Sequence, residues 1–224
     1  QVKSSLVYSL KPDSNKLQNV ISEQLTAAGF NEILNNSLTK VSYYENSSTY
    51  PIANAVKILN PLSNDLGVLR QTLFFGGMES LNRNINRRNA DLKFYEFGNC
   101  YYFHPENRKE GDALTAYTEE PHFAMWLTGN KSSQTWMRKQ EKTSVYELKA
   151  HVENVFRRLG FSLNALQTED YSDDLLSEAI LVRSRNKKVL AVYGVVSDVQ
   201  TKKFDIDSDV FYADFNWRNL LAES

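Results

Sequence analysis

The chain has 224 residues, of which 42% are hydrophobic and 24% are charged, and its formal net charge is −1. This length is sufficient for a substantial core, in one large domain or two small ones, and the composition is ordinary for a soluble globular protein. The near-zero charge argues against a basic nucleic-acid module, because phosphate binding normally leaves a large positive excess. A local basic face is still compatible with these numbers.

Cysteine content and apolar patterning indicate the compartment. The single cysteine, Cys100, excludes an internal disulfide framework and a cysteine-based zinc site, and it fits a reducing environment. No apolar run is long enough to cross a bilayer, and no signal-peptide pattern opens the chain. The first residue is Gln1 rather than methionine, which indicates a fragment of something longer. We therefore expect a piece of a cytoplasmic protein that does not contact a membrane.

A helix is predicted directly after Pro12, with Asp13 or Ser14 as its cap, and Gly29 stands where a left-handed C-cap is expected. Its apolar residues follow helical spacing on one face: Leu17, Val20, Ile21, Leu25 and Ala28.

Two strands are predicted next, over residues 30–38 and 56–59, with a short helix or turn over residues 43–48. Pro61 restricts Asn60 to an extended conformation, which gives the second strand a backbone reason to end there.

The second helix is predicted to begin between Asp65 and Arg70 and to run to about Arg87. Its apolar stripe consists of Phe74, Met78, Leu81 and Ile85. The pair Gly76-Gly77 weakens such a helix by about 1 kcal/mol per glycine relative to alanine. We therefore expect the backbone of another element to approach the helix closely at this pair.

The remaining elements are mostly strands. Residues 104–119 and 129–143 are polar and are predicted to be loops, while residues 145–159 form a third helix and residues 198–204 a short one. The predicted strands cover residues 92–103, 122–128, 163–168, 178–183, 189–196 and 210–217. Several connections are too short for a parallel crossover, so we expect an α+β domain, an antiparallel sheet with helices packed on one side. No linker divides the chain, which indicates a single domain over residues 1–224.

Glu96 is the one carboxylate on the aromatic strand, and it has no second carboxylate at a spacing suited to acid–base catalysis. A structural ion pair is the favoured interpretation, with Arg70 as the candidate partner.

Arg83 and Arg87 lie one helical turn apart. They could contact phosphate or a partner protein, or they could form a solvated basic helix end that the helix dipole favours.

Other reactive side chains are isolated. His104, His122 and His151 lie on three different elements, so we expect no metal site. Cys100 is expected to be a buried apolar residue. The aromatic strand places Tyr95, Phe97, Tyr101 and Phe103 on one face and Phe94, Glu96 and Tyr102 on the other. A stacking platform for bases is conceivable, but packing against helices is the favoured interpretation.

Seven sequence blocks occur in a specific order. NPLS, LRQTL, NRNINR and FYEFGN lie between residues 58 and 103, followed by YELK at residues 146–149 and by VYGVV with FDI at residues 192–206. Together they resemble the catalytic-like module of the beta subunits of bacterial phenylalanyl-tRNA synthetases. The resemblance covers nearly the whole chain. It implies the class II aminoacyl-tRNA-synthetase fold, an antiparallel sheet flanked by helices.

The resemblance also implies partners and a reaction for the complete enzyme. Members of the family form an (αβ)₂ heterotetramer that attaches phenylalanine to tRNA(Phe) with ATP and Mg²⁺, and the synthesis site belongs to the alpha subunit. The helix and strand after Asp13 correspond to motif 1, which builds the subunit interface. Residues 94–128 correspond to motif 2. Editing and anticodon binding belong to other parts of the subunit.

Three departures from an active class II site decide the expected mechanism. Tyr102 stands where an active enzyme has the arginine that holds the α-phosphate, and no glycine-rich run ending in arginine is present. Residues 175–180 read LLSEAI where the family often has an HPGR-like sequence. We therefore expect no catalytic, cofactor-binding or metal-binding residue in this chain.

The expected role is assembly with the alpha subunit, and the apolar faces of residues 17–28 and 74–85 are expected to be exposed in the isolated chain. A vestigial or regulatory pocket for an adenylate or amino acid is the alternative, and direct tRNA binding is a third. The candidate interface or structural residues are Leu17, Ile21, Leu25, Asn60, Pro61, Arg70, Arg83, Arg87 and Glu96.

Overall fold

The computed structural model describes residues 13–61, 63–131, 136–137 and 139–223, apart from the side chains of Asn64 and Ala113. The helices are α1 (Ser14–Ala27), α2 (Phe74–Ile85), α3 (Val145–Arg158), α4 (Asp198–Lys203) and α5 (Trp217–Glu223). The strands are β1 (Asn31–Glu32), β2 (Leu38–Thr39), β3 (Val68–Leu69), β4 (Leu92–Phe103), β5 (Tyr117–Thr128), β6 (Gln167–Tyr171), β7 (Leu176–Arg183), β8 (Val189–Val196) and β9 (Val210–Asn216). Among the described residues, no helix combines the length and apolarity needed to span a membrane.

One seven-stranded sheet, in the order β1-β4-β5-β9-β8-β7-β6, forms the centre of the domain. Every pair in it is antiparallel except β1 with β4. The β4–β5 ladder is the longest, from Leu92 opposite Thr128 to Phe103 opposite Tyr117. The predicted α+β class is confirmed. The predicted loop over residues 104–119 ends earlier than expected, because β5 continues to the end of this ladder.

Helices cover both faces of the sheet, so the prediction that they pack on one side was wrong. On one face α2 packs with Trp126 and Tyr212, in a core that includes Phe74, Phe75, Met78 and Leu81. On the other face α1, α3 and α5 pack over the second core, which includes Ile21, Leu25, Val152, Phe156, Trp217 and Leu220. The alternation of side chains along β4 is as expected, since Tyr95 faces the α1 side and Phe94 the α2 side.

The helix faces that were expected to be exposed are buried inside this domain. Ile21 and Leu25 are almost fully buried, and Leu17 packs against the same core. The stripe of α2 from Phe74 to Leu81 is likewise buried. The prediction of an exposed apolar surface was therefore wrong, because each face finds its partner on the sheet of the same chain.

Two predicted strands are much shorter than expected. Residues 30–38 contain only β1 and the start of β2, because Asn35 between them bonds to a side chain of β4 rather than continuing the ladder. In residues 56–59 a single bridge joins Lys57 to Val68. Helix α2 begins at Phe74 and not before Arg70, because Val68 and Leu69 pair with β2.

The C-terminal part also differs in detail. A 3₁₀ turn, Leu163–Ala165, precedes β6 where a strand was expected from residue 163. β9 ends at Asn216, and α5, which the sequence did not indicate, starts at the next residue. The caps of α1 are as predicted, since the Asp13 carboxylate accepts from Asn15 and Lys16 and Gly29 has φ +86°.

Side chains rather than another backbone approach the glycine pair in α2. A Cβ at Gly77 would lie 2.1 Å from Cε2 of Trp126, and one at Gly76 would lie 2.9 Å from Cβ of Asn35. The expectation of a close backbone was wrong, but the need for small residues is real. Gly77 gives the indole ring of Trp126 its place in the core.

Candidate functional site

Arg70 and Glu96 form a buried ion pair at the edge of β4. The Arg70 Nη1 atom lies 2.6 Å from Glu96 Oε1, and the two side chains are 6% and 0% exposed. The Arg70 Nε atom also donates to the Asn99 carbonyl at 2.9 Å, which satisfies an edge acceptor of the strand. The pairing that the sequence indicates is therefore present. An interface role for these two residues stays a prediction.

Asn35 completes the coordination of Glu96. Its backbone N–H donates to Oε1 at 3.2 Å and its side-chain amide to Oε2 at 2.7 Å, while Ser80 donates to the Asn35 Oδ1 atom. Both carboxylate oxygens of Glu96 thus accept hydrogen bonds from fixed donors, which favours a structural role over acid–base catalysis. Gly98 makes room for the pair, because a Cβ there would lie 2.2 Å from Nη2 of Arg70.

Tyr102 lies further along β4 on the same face of the sheet. Its hydroxyl donates to the Gln71 carbonyl at 2.8 Å. Gln71 is itself buried. Its N–H donates to the Tyr44 hydroxyl, and its side-chain amide donates to the Pro51 carbonyl. Burial raises the pKa of Tyr102, so it stays a neutral phenol. Tyr44 and Gln71 therefore cover the sheet at this point.

His122 on β5 joins this face to β9. Its Nδ1 atom lies 2.9 Å from Oδ2 of Asp214, and its Nε2 atom lies 3.8 Å from Glu120. Burial alone lowers the pKa of His122, but the carboxylates of Asp214 and Glu120 outweigh it and raise that pKa to about 9. The histidine is expected to be a buried imidazolium at neutral pH.

This pair predicts a pH dependence of stability. The folded pKa of His122 lies above the ordinary value of 6.5, so its contribution is complete below pH 6.5 and is lost as the pH rises through 9. We expect the free energy of unfolding to fall by about 2 kcal/mol over this window. Denaturant titration at several pH values measures it, with His122→Gln expected to lack the slope and His104→Gln to retain it.

The comparison is made below about pH 8 for a physical reason. Burial raises the pKa of the Cys100 thiol, so the unfolded chain loses that proton first, and a separate decrease in stability begins at about pH 8 in every variant. A slope between pH 6.5 and about pH 8 that persists in His122→Gln would contradict the assignment to this histidine.

The remaining predicted residues lie elsewhere. Arg83 and Arg87 are exposed near the end of α2, and Asn60 and Pro61 are exposed in a loop. Arg83 lines an open cleft of about 650 Å³ together with Lys40 and Lys203. The structure therefore does not bring these residues to the Arg70–Glu96 pair. Among the described residues, no three potential ligand side chains form a group that could hold a metal ion.

The LLSEAI segment, residues 175–180, contributes two leucines to the core. Leu175 and Leu176 are buried, and their N–H groups both donate to the Asp173 carboxylate. The neighbouring Asp174 binds Ser47 and Thr49, which ties this turn to the segment over the sheet.

Sequence reasoning missed two participants in these networks. Asn35 was part of a predicted strand, and its position 61 residues before Glu96 gave no local signal. The pairing of His122 with Asp214 spans 92 residues. The sequence did carry a signal for His122. It lies on the predicted strand over residues 122–128, next to apolar residues, which indicates a partly buried histidine that needs a polar partner.

The chain matches a family of known proteins over most of its length. The family model described as "Phenylalanyl tRNA synthetase beta chain CLM domain" matches residues 3–217. The phenylalanine–tRNA ligase beta subunit of Bacteroides fragilis is 52% identical over 208 residues, which are 93% of this chain and 25% of that protein. The beta subunit of Porphyromonas gingivalis is 42% identical over 224 residues, which are all of this chain and 27% of that protein. The chain thus spans about a quarter of the length of these relatives.

Solved structures show the same fold at low sequence identity. A pyrrolysyl-tRNA synthetase from Desulfitobacterium hafniense superposes with a TM-score of 0.66 and 14% identity, over 94% of this chain and 66% of that one. At this identity the likeness concerns the fold, a class II synthetase fold. The family match and the identities above 40% go further, and the chain belongs to the family of phenylalanyl-tRNA synthetase beta-chain CLM domains.

Proposed function

We propose that residues 1–224 form a single non-catalytic domain of a phenylalanine–tRNA ligase beta subunit. In this proposal the domain supports assembly with the alpha subunit and, through it, with a second alpha–beta pair in a heterotetramer. The assembled enzyme charges tRNA(Phe) with phenylalanine in the cytoplasm, using ATP and Mg²⁺ that the alpha subunit holds. The contribution of this chain is positioning.

The single observation that supports a non-catalytic role most strongly is the closed sheet face at Tyr102. In an active class II enzyme this position of the motif 2 strand holds an arginine at the α-phosphate. Here the hydroxyl of Tyr102 donates to the Gln71 carbonyl, and Gln71 and the neighbouring Tyr44 are buried. In this proposal Tyr44 and Gln71 take up the space that a nucleotide would need.

The charges on this face also do not fit ATP. The guanidinium of Arg70 is committed to Glu96 and two carbonyl groups, and the imidazolium of His122 is paired with Asp214. Glu120 adds a further carboxylate nearby. A triphosphate would therefore meet neutral or negative groups, which costs electrostatic energy in a partly buried site. In this proposal no residue of this chain takes part in a step on ATP or Mg²⁺, and a vestigial adenylate or amino-acid pocket is not favoured.

Burial divides the predicted interface residues into those that stabilise this domain and those that are free to contact a partner. Ile21 and Leu25 lie in the core, so in this proposal they shape α1 and do not touch the partner. Asn60, Pro61, Arg83 and Arg87 are exposed and remain available for contact.

Assembly is tested by mixing the purified chain with the cognate alpha subunit in low salt. Size-exclusion chromatography with light scattering is expected to show a species heavier than either component. Separate elution at micromolar concentrations of both would count against the proposal. An unrelated class II synthetase, which shares the fold, is the control that is expected not to bind.

A further inference from the structure

The open cleft of about 650 Å³ lies between α2, the turn after β2 and the end of α4. Each of these three segments places one basic side chain on it: Arg83 from α2, Lys40 from the turn and Lys203 from α4. The dipole of a helix favours a cation in its last turn, which accounts for Arg83 and Lys203 one at a time. It does not account for their meeting with Lys40 in one cleft.

Contacts on the page bring these cations to one place. The Nζ atoms of Lys40 and Lys203 lie 5.7 Å and 5.2 Å from the centroid of the same ring, that of Tyr43. Lys40 also lies 3.5 Å from Glu79, and Arg83 follows Glu79 by one turn of α2. The three basic groups therefore surround a single part of the cleft.

Only Lys40 is neutralised there. Its partner Glu79 also accepts a hydrogen bond from the Tyr43 hydroxyl, so this carboxylate is committed. Within the residues that the structure describes, neither Arg83 nor Lys203 forms an ion pair or a side-chain hydrogen bond. Two positive charges of the cleft are thus available to a ligand.

Lys203 in particular lacks compensating negative charge. Partial burial lowers the pKa of its ammonium group and outweighs the attraction of the carboxylates of Asp174 and Glu45. An anion in the cleft would add the missing attraction.

Positive charge continues beyond the cleft. The Arg87 N–H donates to the Asn84 carbonyl at 2.9 Å and the Arg88 N–H to the Ile85 carbonyl at 2.8 Å, which holds both arginines in the turn directly after α2. Both are exposed, and residues 80–90 contain no carboxylate. A row of cations that leads out of an open cleft suits a polymer of phosphates better than a single small ion.

We propose that this cleft binds the ribose-phosphate backbone of an RNA strand, with a phosphate between Arg83 and Lys203. Arginine and lysine are the side chains that bind phosphate, and every RNA offers that group. The hydroxyls of Thr39 and Ser42 also line the cleft and form no hydrogen bond in the described part of the chain, so they can bond to ribose hydroxyls. This contact goes beyond the proposed assembly with the alpha subunit and does not depend on it.

The test measures binding of a labelled tRNA(Phe) transcript to the purified chain by fluorescence anisotropy at several salt concentrations. Arg83→Gln with Lys203→Gln is expected to weaken binding about tenfold at about 50 mM salt, and to reduce the slope of log affinity against log salt by about 1.5, because two phosphate contacts are lost. The matched control is Lys149→Gln with Arg158→Gln, two exposed residues of α3 across the sheet. It removes the same charge and is expected to leave the slope unchanged.

A change of opposite sign gives a second readout. Asp65 is the other carboxylate that lines the cleft, so it repels a phosphate there. Asp65→Asn is therefore expected to tighten RNA binding about twofold to threefold, a gain that misfolding cannot produce. Asp170→Asn, on the exposed edge strand β6, is the control and is expected to bind like the unmodified chain.

Three results would overturn the proposal and leave the assembly role standing: no binding of RNA by the unmodified chain at about 50 mM salt, an equal loss in the two double variants, or no gain in Asp65→Asn. Competition by polyglutamate as effective as competition by unlabelled RNA would replace phosphate by carboxylate, and RNA by an acidic protein.

Discussion

Replacing Arg70 with alanine is expected to lower the free energy of unfolding by about 3–5 kcal/mol, as for other buried ion pairs that lose one member. The reason is that the fully buried Glu96 would lose its counter-ion, while the Asn99 carbonyl would lose its donor. Chemical denaturation of the variant and the parent chain at pH 7 measures the difference.

A double-mutant cycle separates the ion pair from the loss of packing. Glu96→Gln removes the second charge, so Arg70→Met with Glu96→Gln is expected to be less destabilised than the sum of the two single variants. The control is Arg183→Met, whose partner Glu169 is largely exposed and whose loss is expected to cost less than about 1 kcal/mol. A change below 0.5 kcal/mol for Arg70→Ala, on the order of an ordinary surface substitution, would contradict a stabilising role of the pair.

Replacing Gly77 with alanine is expected to destabilise the chain by about 2–3 kcal/mol, although alanine is intrinsically favoured in a helix by about 1 kcal/mol. The new Cβ would lie 2.1–2.6 Å from three atoms of the Trp126 indole, which is completely buried and cannot move aside without disturbing the core. Thermal and urea unfolding of the variant give the value.

Asn82→Ala on the same helix controls for propensity and is expected to change stability by no more than about 0.5 kcal/mol. Combining Gly77→Ala with Trp126→Phe relieves the collision, so the double variant is expected to be more stable than additivity predicts. A stabilised Gly77→Ala variant would show that the indole can be accommodated elsewhere.

Much of the architecture was accessible from local sequence. β4, α3 and β8 were predicted within one residue of their observed ends, because each carries an uninterrupted period and lies between clear turn signals. Arg70 could also be predicted from the sequence as the partner of Glu96. A lone carboxylate on an apolar strand needs a cation, and few arginines lie near Glu96 in the sequence. Fold class and family followed from the ordered blocks.

Long-range geometry was not accessible. The apolar stripes of α1 and α2 identified buried faces but did not reveal that the sheet of the same chain covers them, since a stripe looks alike whether its partner is internal or external. Asn35 and Asp214 likewise gained their roles from contacts across 61 and 92 residues. The short strands near Arg70 were mispredicted because side-chain bonds replaced the backbone ladder there.

The covered sheet face at Tyr102 is the main reason to expect no nucleotide site in this chain, and isothermal titration tests it. The chain is titrated with a non-hydrolysable phenylalanyl-adenylate analogue, and the assembled alpha–beta enzyme serves as the positive control under the same conditions. We expect saturable heat for the assembled enzyme and none for the chain alone up to about 1 mM ligand. A Kd above 1 mM corresponds to a binding free energy weaker than about 4 kcal/mol. Saturable binding by the chain alone below 1 mM, abolished by Tyr102→Ala, would contradict it.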